Sequence, residues 1–129
     1  MICILLIIIA GMANAVMDTI AHKGGGILPN NSWWSMKESW RNKWKNGDPK
    51  QGEAFLGSST VFVLLTDAWH FFQSIMLTCL IAPIAIVSQI NVPNVFNNTL
   101  ITSMLIFVIG KASFSVAFEL TWRFLNRKK

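Results

Sequence analysis

Charge is what this sequence has least of. Only 13% of its 129 residues are charged, against 53% hydrophobic, and the mean hydropathy is +0.47. Soluble globular chains carry about 25% charged residues. A water-soluble chain this short must cover most of its surface with polar groups, and this one lacks them. The same apolar excess excludes intrinsic disorder. Cysteine is scarce as well: Cys3 and Cys79 cannot build a disulfide framework or a four-thiolate zinc site. No internal repeat is visible, and no H-E-x-x-H, G-x-S-x-G, P-loop or dinucleotide fingerprint occurs. These absences leave an integral membrane protein of the all-α class, a single membrane domain over residues 1–129.

Three long apolar stretches are present, about 2–20, 60–90 and 100–120. The first and third each suffice to cross a ~30 Å hydrocarbon core at ~1.5 Å per residue. Ala13-Asn14-Ala15 has the form of a signal-peptidase site, but no Lys or Arg precedes the apolar run, so an uncleaved first helix is expected. The second stretch is longer than one straight span needs and too short for two. It is expected to tilt, protrude or bend, with Pro83 as the bending point.

Basic residues divide unevenly among the connections. The loop 21–59 holds Lys23, Lys37, Arg41, Lys43, Lys45 and Lys50, and the tail adds Arg123, Arg127, Lys128 and Lys129. The connection Gln89 to Thr99 has no charge at all. The positive-inside rule then predicts three spans in a cell (inner) membrane, N-terminus outside, loop and C-terminus cytoplasmic. Within the loop, Trp33, Met36, Trp40 and Trp44 repeat at helical spacing, with Arg41, Lys43 and Lys45 away from that face. Trp favours the headgroup region and basic side chains favour anionic lipid. An amphipathic helix over about 32–45, lying in the interface, is therefore expected. A Trp-rich packing surface against the membrane domain is the alternative. Asn46-Gly47-Asp48-Pro49 ends the segment as a turn. Because the basic groups sit beside spans and among membrane-seeking Trp, the net charge of +5 does not indicate nucleic acid.

An ionisable group inside a span costs at least ~2.5–3.5 kcal/mol, so each one needs a reason. Counting inward from cytoplasmic ends near Ile20, Val61 and Leu120, Asp18 and Glu119 lie near the boundary. Asn14, Asp67 and Ser115 lie ~8–9 Å deep, and His70 and Lys111 ~14 Å deep. At 100° per residue Thr60, Asp67, His70, Ser74 and Thr78 fall in a sector of ~80°, a polar seam expected to face other helices or a wet crevice. Lys111 is expected to neutralise either Asp67 or Asp18 across helices, and Glu119 is spaced to pair with Arg123. Asp67 and His70 are also candidates for acid–base chemistry, and low-order candidates for a metal, as are Asp18 and His22. His70 among Trp69, Phe71 and Phe72 leaves a haem or chlorin ligand open; no cofactor is assigned.

The block SWRNKWKNGDPKQGEAF (39–55), followed by SSTVFVLLTDAWHFF (58–72), resembles a group of short bacterial membrane proteins. In these a Trp/Lys-rich NGDPK segment leads into a TDAWH transmembrane helix. The resemblance implies a bacterial inner membrane and brings no activity with it.

Three functions are expected, in order. The first is a structural or accessory subunit whose span-two seam docks on partner helices. The second is a homo-oligomeric conduit for ions, protons or a small solute, lined by Asp67, His70 and Lys111. The third is a membrane-embedded enzyme with a cytoplasm-facing Asp67/His70 site. The expected partners are the bilayer and either further copies or other membrane subunits, with Gly110, Ala112 and the Ser residues of span three as candidate close contacts.

Overall fold

A computed structural model of the chain describes residues 2–22, 26–87 and 99–127. Lys23, Lys128, Lys129 and all but Thr99 of the uncharged connection lie outside the described residues. The architecture is all-helical, built on α1 (Ile2–His22), α2 (Ala68–Val87) and α3 (Thr99–Leu125). Two stretches, Ile2–His22 and Ile101–Leu125, are long and apolar enough to cross a membrane.

α1 is the central helix. It packs against both α2 and α3, which barely touch each other. Its buried residues are mostly small, among them Ala10, Gly11, Ala13 and Ala15. Where lipid replaces water, helices associate through close van der Waals packing, and small residues permit it. Gly11 marks the nearest approach of α1 to α3. A Cβ there would run into the Phe114 carbonyl oxygen and stand 3.2 Å from the Ala117 Cβ. Gly110 repeats the device against Ile7, whose Cδ1 would lie 3.2 Å from an added Cβ. The pairs Gly11–Phe114 and Ile7–Gly110 give α1 and α3 the same direction.

The C-terminal ends of these two helices are tied by hydrogen bonds. The Thr19 hydroxyl donates to the Ala15 carbonyl at 2.8 Å and accepts the Asn126 side-chain amide at 2.9 Å. The Ile27 amide donates to the Leu125 carbonyl at 3.0 Å, taking up an acceptor left over at the end of α3. Gly26 makes this approach possible, with φ at 54° and no room for a Cβ beside the same carbonyl.

The loop folds back over this end. It does not form the amphipathic α-helix expected over 32–45. Turns run from Ser32 to Glu38, followed by a 3₁₀ turn at Ser39–Lys43. The physical reason is competition from tertiary contacts. The Asn31 side chain accepts the amides of Trp33 and Trp34 at 3.1 and 3.3 Å. Trp33 then packs on Phe71 and Trp34 on Phe72, with ring centroids 5.8 and 5.9 Å apart. Those anchors fix a path that a continuous helix does not follow. Past Lys43 the chain makes a small hairpin, with Trp44 bridged to Glu53 and the Asn46–Gly47 corner in left-handed conformation at φ 52° and 75°.

The second apolar stretch is also corrected: it is helical only from Ala68. Residues 56–66 are turns and a 3₁₀ turn at Val63–Leu65. An earlier start would bond the His70 amide to the Thr66 carbonyl. Instead the Asp67 carboxylate takes that amide at 2.8 Å, and the Asn42 side chain donates to that carbonyl at 2.8 Å. α2 continues through Pro83, whose missing N–H leaves the Cys79 carbonyl without its helical donor. The third helix outruns the expected 100–120 at its C-terminal end, reaching Leu125.

Candidate functional site

Asp67 stands immediately before α2, where the first four N–H groups of a helix lack partners. Its Oδ1 accepts the His70 amide, the standard N-cap bond from cap residue to third helical residue. The Ala68 amide is met by the Trp33 carbonyl at 2.9 Å. Asp67 is therefore a cap at a helix end, not a carboxylate in mid-span, and the depth counted from Val61 does not apply to it.

The same carboxylate also holds the His70 ring. Nδ1 lies 2.8 Å from Oδ1 and 2.7 Å from Oδ2. The Asp67 side chain is 4% exposed and that of His70 31%. This geometry fixes the ring and selects the tautomer with the proton on Nδ1, so that in the neutral ring Nε2 is an acceptor. Among the described residues Nε2 has no hydrogen-bond partner. Met36, Ser39, Trp40, Lys43 and Trp69 line a half-open recess of about 210 Å³ beside the pair.

His70 also begins an open groove of about 500 Å³ along α2. Gln73, Ser74 and Thr78 supply its polar groups, and Val63, Leu64, Leu77, Ile81 and Ala82 its walls. Of the residues expected on the span-two seam, His70, Ser74 and Thr78 line this groove, and Gln73 joins them. Thr60 leaves the seam, because that residue lies in the turns before α2.

The remaining candidates are dispersed. Asp18 meets His22 at 3.6 Å on an exposed turn, with Asn14 half-buried one turn earlier. Glu119 accepts the Arg123 Nε–H at 2.6 Å, again exposed. Such surface pairs contribute at most ~1 kcal/mol. Ser115 and Ala112 are exposed on α3, and the Ser113 hydroxyl turns back to the Ile109 carbonyl. Lys111 is exposed and joins neither Asp67 nor Asp18; the α2 residue that lines a crevice with it is Leu80, about 15 Å along the helix from His70. Among the described residues no three His, Cys, Asp or Glu side chains converge as a metal site. Cys3 and Cys79 are both free thiols.

Of the expected interface anchors, Trp33 and Trp44 are half-buried in the loop, and Trp40 is exposed with the Arg41 guanidinium 5.5 Å from its ring centre. Lys45 is exposed and Lys43 half-buried. Sequence reasoning overlooked Glu53, which organises the segment after the hairpin. Its carboxylate accepts the Ser59 hydroxyl and the amides of Gly57 and Ser59. The Ser59 hydroxyl first, then the two amides, hold its carboxyl below the ordinary 4.5. The turn so formed leaves Leu56, Val61, Phe62 and Leu65 exposed beside the start of α2. Asn42 and Asn126 were also overlooked, and no local signal marks either.

No family model, curated protein or solved structure matches the chain.

Proposed function

We propose that this chain is a small structural or accessory membrane subunit, and that the polar face of α2 docks on helices of its partners. The observation carrying this reading is the open groove bearing His70, Gln73, Ser74 and Thr78, which neither α1 nor α3 covers. Facing lipid, hydroxyl and amide groups are limited to acceptors on their own helix, whereas a neighbouring helix offers further hydrogen bonds as well as packing. In this reading α2, at 20 residues and ~30 Å, is the third crossing. The N-terminus lies outside a bacterial inner membrane, and the loop and tail lie in the cytoplasm.

A conduit fits less well, because Lys111 lines a crevice with Leu80, about 15 Å along α2 from His70, and among the described residues shares no cavity with the Asp67–His70 pair. The three residues do not share one path. An acid–base site at Asp67 and His70 has a sound ring geometry, but capping α2 already accounts for the carboxylate.

A photo-reactive residue replacing Thr78 tests docking in native membranes, with Val116 on the exposed side of α3 as the control. Thr78 is expected to yield adducts with a transmembrane helix and Val116 adducts with lipid. Lipid adducts alone at both positions would overturn the reading.

A further inference from the structure

Lys111 is the one Lys or Arg that lies neither in the loop nor at or beyond the last turn of α3. It lies near the middle of α3, about 18 Å from Thr99 and about 21 Å from Leu125 at ~1.5 Å per residue. Helical Cβ atoms lean toward the N-terminus, so the stem of Lys111 starts away from the basic end of the bundle. About three turns of mostly apolar helix follow in that direction, more than a four-carbon stem spans. Its surroundings are a crevice of about 480 Å³ formed by Ile7, Leu80, Ile106, Phe107, Gly110 and Phe114. Among the described residues its ammonium has no ion pair and no hydrogen bond.

The chain's own acids do not serve it. Asp18, Asp67 and Glu119 are held by His22, His70 and Arg123. Glu38, Asp48 and Glu53 lie in the loop. A second copy aligned with the first brings the same acids to the same end and places another ammonium at this level. Lipid acids sit at the bilayer surfaces, well above a group in the middle of the hydrocarbon. A carboxylate fixed in the middle of a helix arrives at the required depth by its position in the chain.

We propose that Lys111 forms an ion pair with an aspartate or glutamate at mid-depth in a transmembrane helix of a different protein, seated on α3 over this crevice. The proposal rests on the reading of the chain as a membrane subunit and names the chemistry of one partner helix. An ammonium in hydrocarbon is costly alone and tolerable when paired, so the pairing gives the contact both its depth and its selectivity.

The test uses the full chain, fluorescently labelled, in phosphatidylcholine liposomes with designed Leu/Ala transmembrane helices as probes. One probe carries a single central Glu, a second a central Gln, and a third a Glu two turns off centre. Energy transfer is expected to show the central-Glu helix binding about tenfold more tightly than the Gln helix. Lys111→Leu should abolish the difference and Lys111→Arg should keep it, and the off-centre Glu should gain little. Equal binding of Glu and Gln helices overturns the proposal, as does a preference that survives Lys111→Leu. Lys111-dependent binding of oleate without any preference among the helices overturns it too, assigning the ammonium to a lipid carboxylate. Protein adducts at Thr78 without a Glu preference would remove the ion pair and leave the docking reading standing. A Glu preference with lipid adducts alone at Thr78 would do the reverse.

Discussion

Glu53 gathers three donors from a turn of seven residues, which Ser58 also ties through its amide to the Phe55 carbonyl at 3.0 Å. The Ser59 hydroxyl and the Gly57 and Ser59 amides all point at one carboxylate, and Gly57 sits at φ 78° to let the chain reverse. Because these bonds favour the ionised form, the folded pKa lies below the ordinary 4.5. The sign follows directly: the bonds contribute fully above pH 4.5 and are lost as pH falls below it through the folded value. Hydrogen exchange of the chain in detergent micelles, expressed as protection factors, should show Gly57 and Ser59 losing protection below pH 4.5 while the helix amides keep theirs. Glu53→Gln should show reduced protection at those two amides already at neutral pH, with no further loss on acidification. Protection at Gly57 and Ser59 that is unchanged in Glu53→Gln would mean that the turn is held by Ser58 alone, whose hydroxyl donates to the Lys43 carbonyl at 2.7 Å.

At the scale of elements, the contrast between α2 and α1 shows what the sequence makes legible. Both α1 and α3 are readable because hydropathy over some twenty residues is a local property, and nothing outside those runs decides where they begin. The start of α2 is different. Val61 to Leu65 are as apolar as a span, so composition extends the helix back to Thr60, yet the boundary is set by Asn42 and Asp67 diverting the two groups that would join residues 66 and 70. The Asp67 cap has a local signature; the Asn42 bond joins residues 24 apart in sequence and has none. The Trp-rich segment fails for a related reason: its periodicity is real, but Phe71 and Phe72 offer Trp33 and Trp34 a packing surface from another element. Of the site, the shared side of His70, Ser74 and Thr78 follows from helical spacing, whereas the separation of His70 from the Lys111 crevice does not. Close packing of α1 on α3 is equally invisible without a register between them, and it makes a sharp prediction. Gly11→Val drives side-chain carbon into the Phe114 carbonyl and should destabilise the bundle by about 1–3 kcal/mol, read as a lower Tm in detergent. Ala112→Val, on an exposed part of α3, should stay within about 0.5 kcal/mol of the parent. Equal behaviour of the two variants would remove Gly11 from the helix contact.

For the whole molecule, the distribution of charge and the packing of the helices bear on which end of the bundle would face the cytoplasm in the proposed membrane reading. α1 and α3 end where the loop folds over them, and Lys37, Arg41, Lys43, Lys45, Lys50, Arg123 and Arg127 all belong to that end. The other end carries none of the described basic residues. Translocating the basic end would oppose the positive-inside bias of both the loop and the tail, whereas keeping it in the cytoplasm satisfies both. Single cysteines at Lys50 and Arg127, in a background of Cys3→Ala and Cys79→Ala, test orientation and architecture together. An impermeant maleimide should label both in inverted inner-membrane vesicles and neither in intact spheroplasts. Labelling of both from outside would reverse the orientation and leave the bundle as it is. Labelling from opposite sides would mean that only one of α2 and α3 crosses. The loop and tail could not then share an end, and the bond between Ile27 and Leu125 could not form in the membrane.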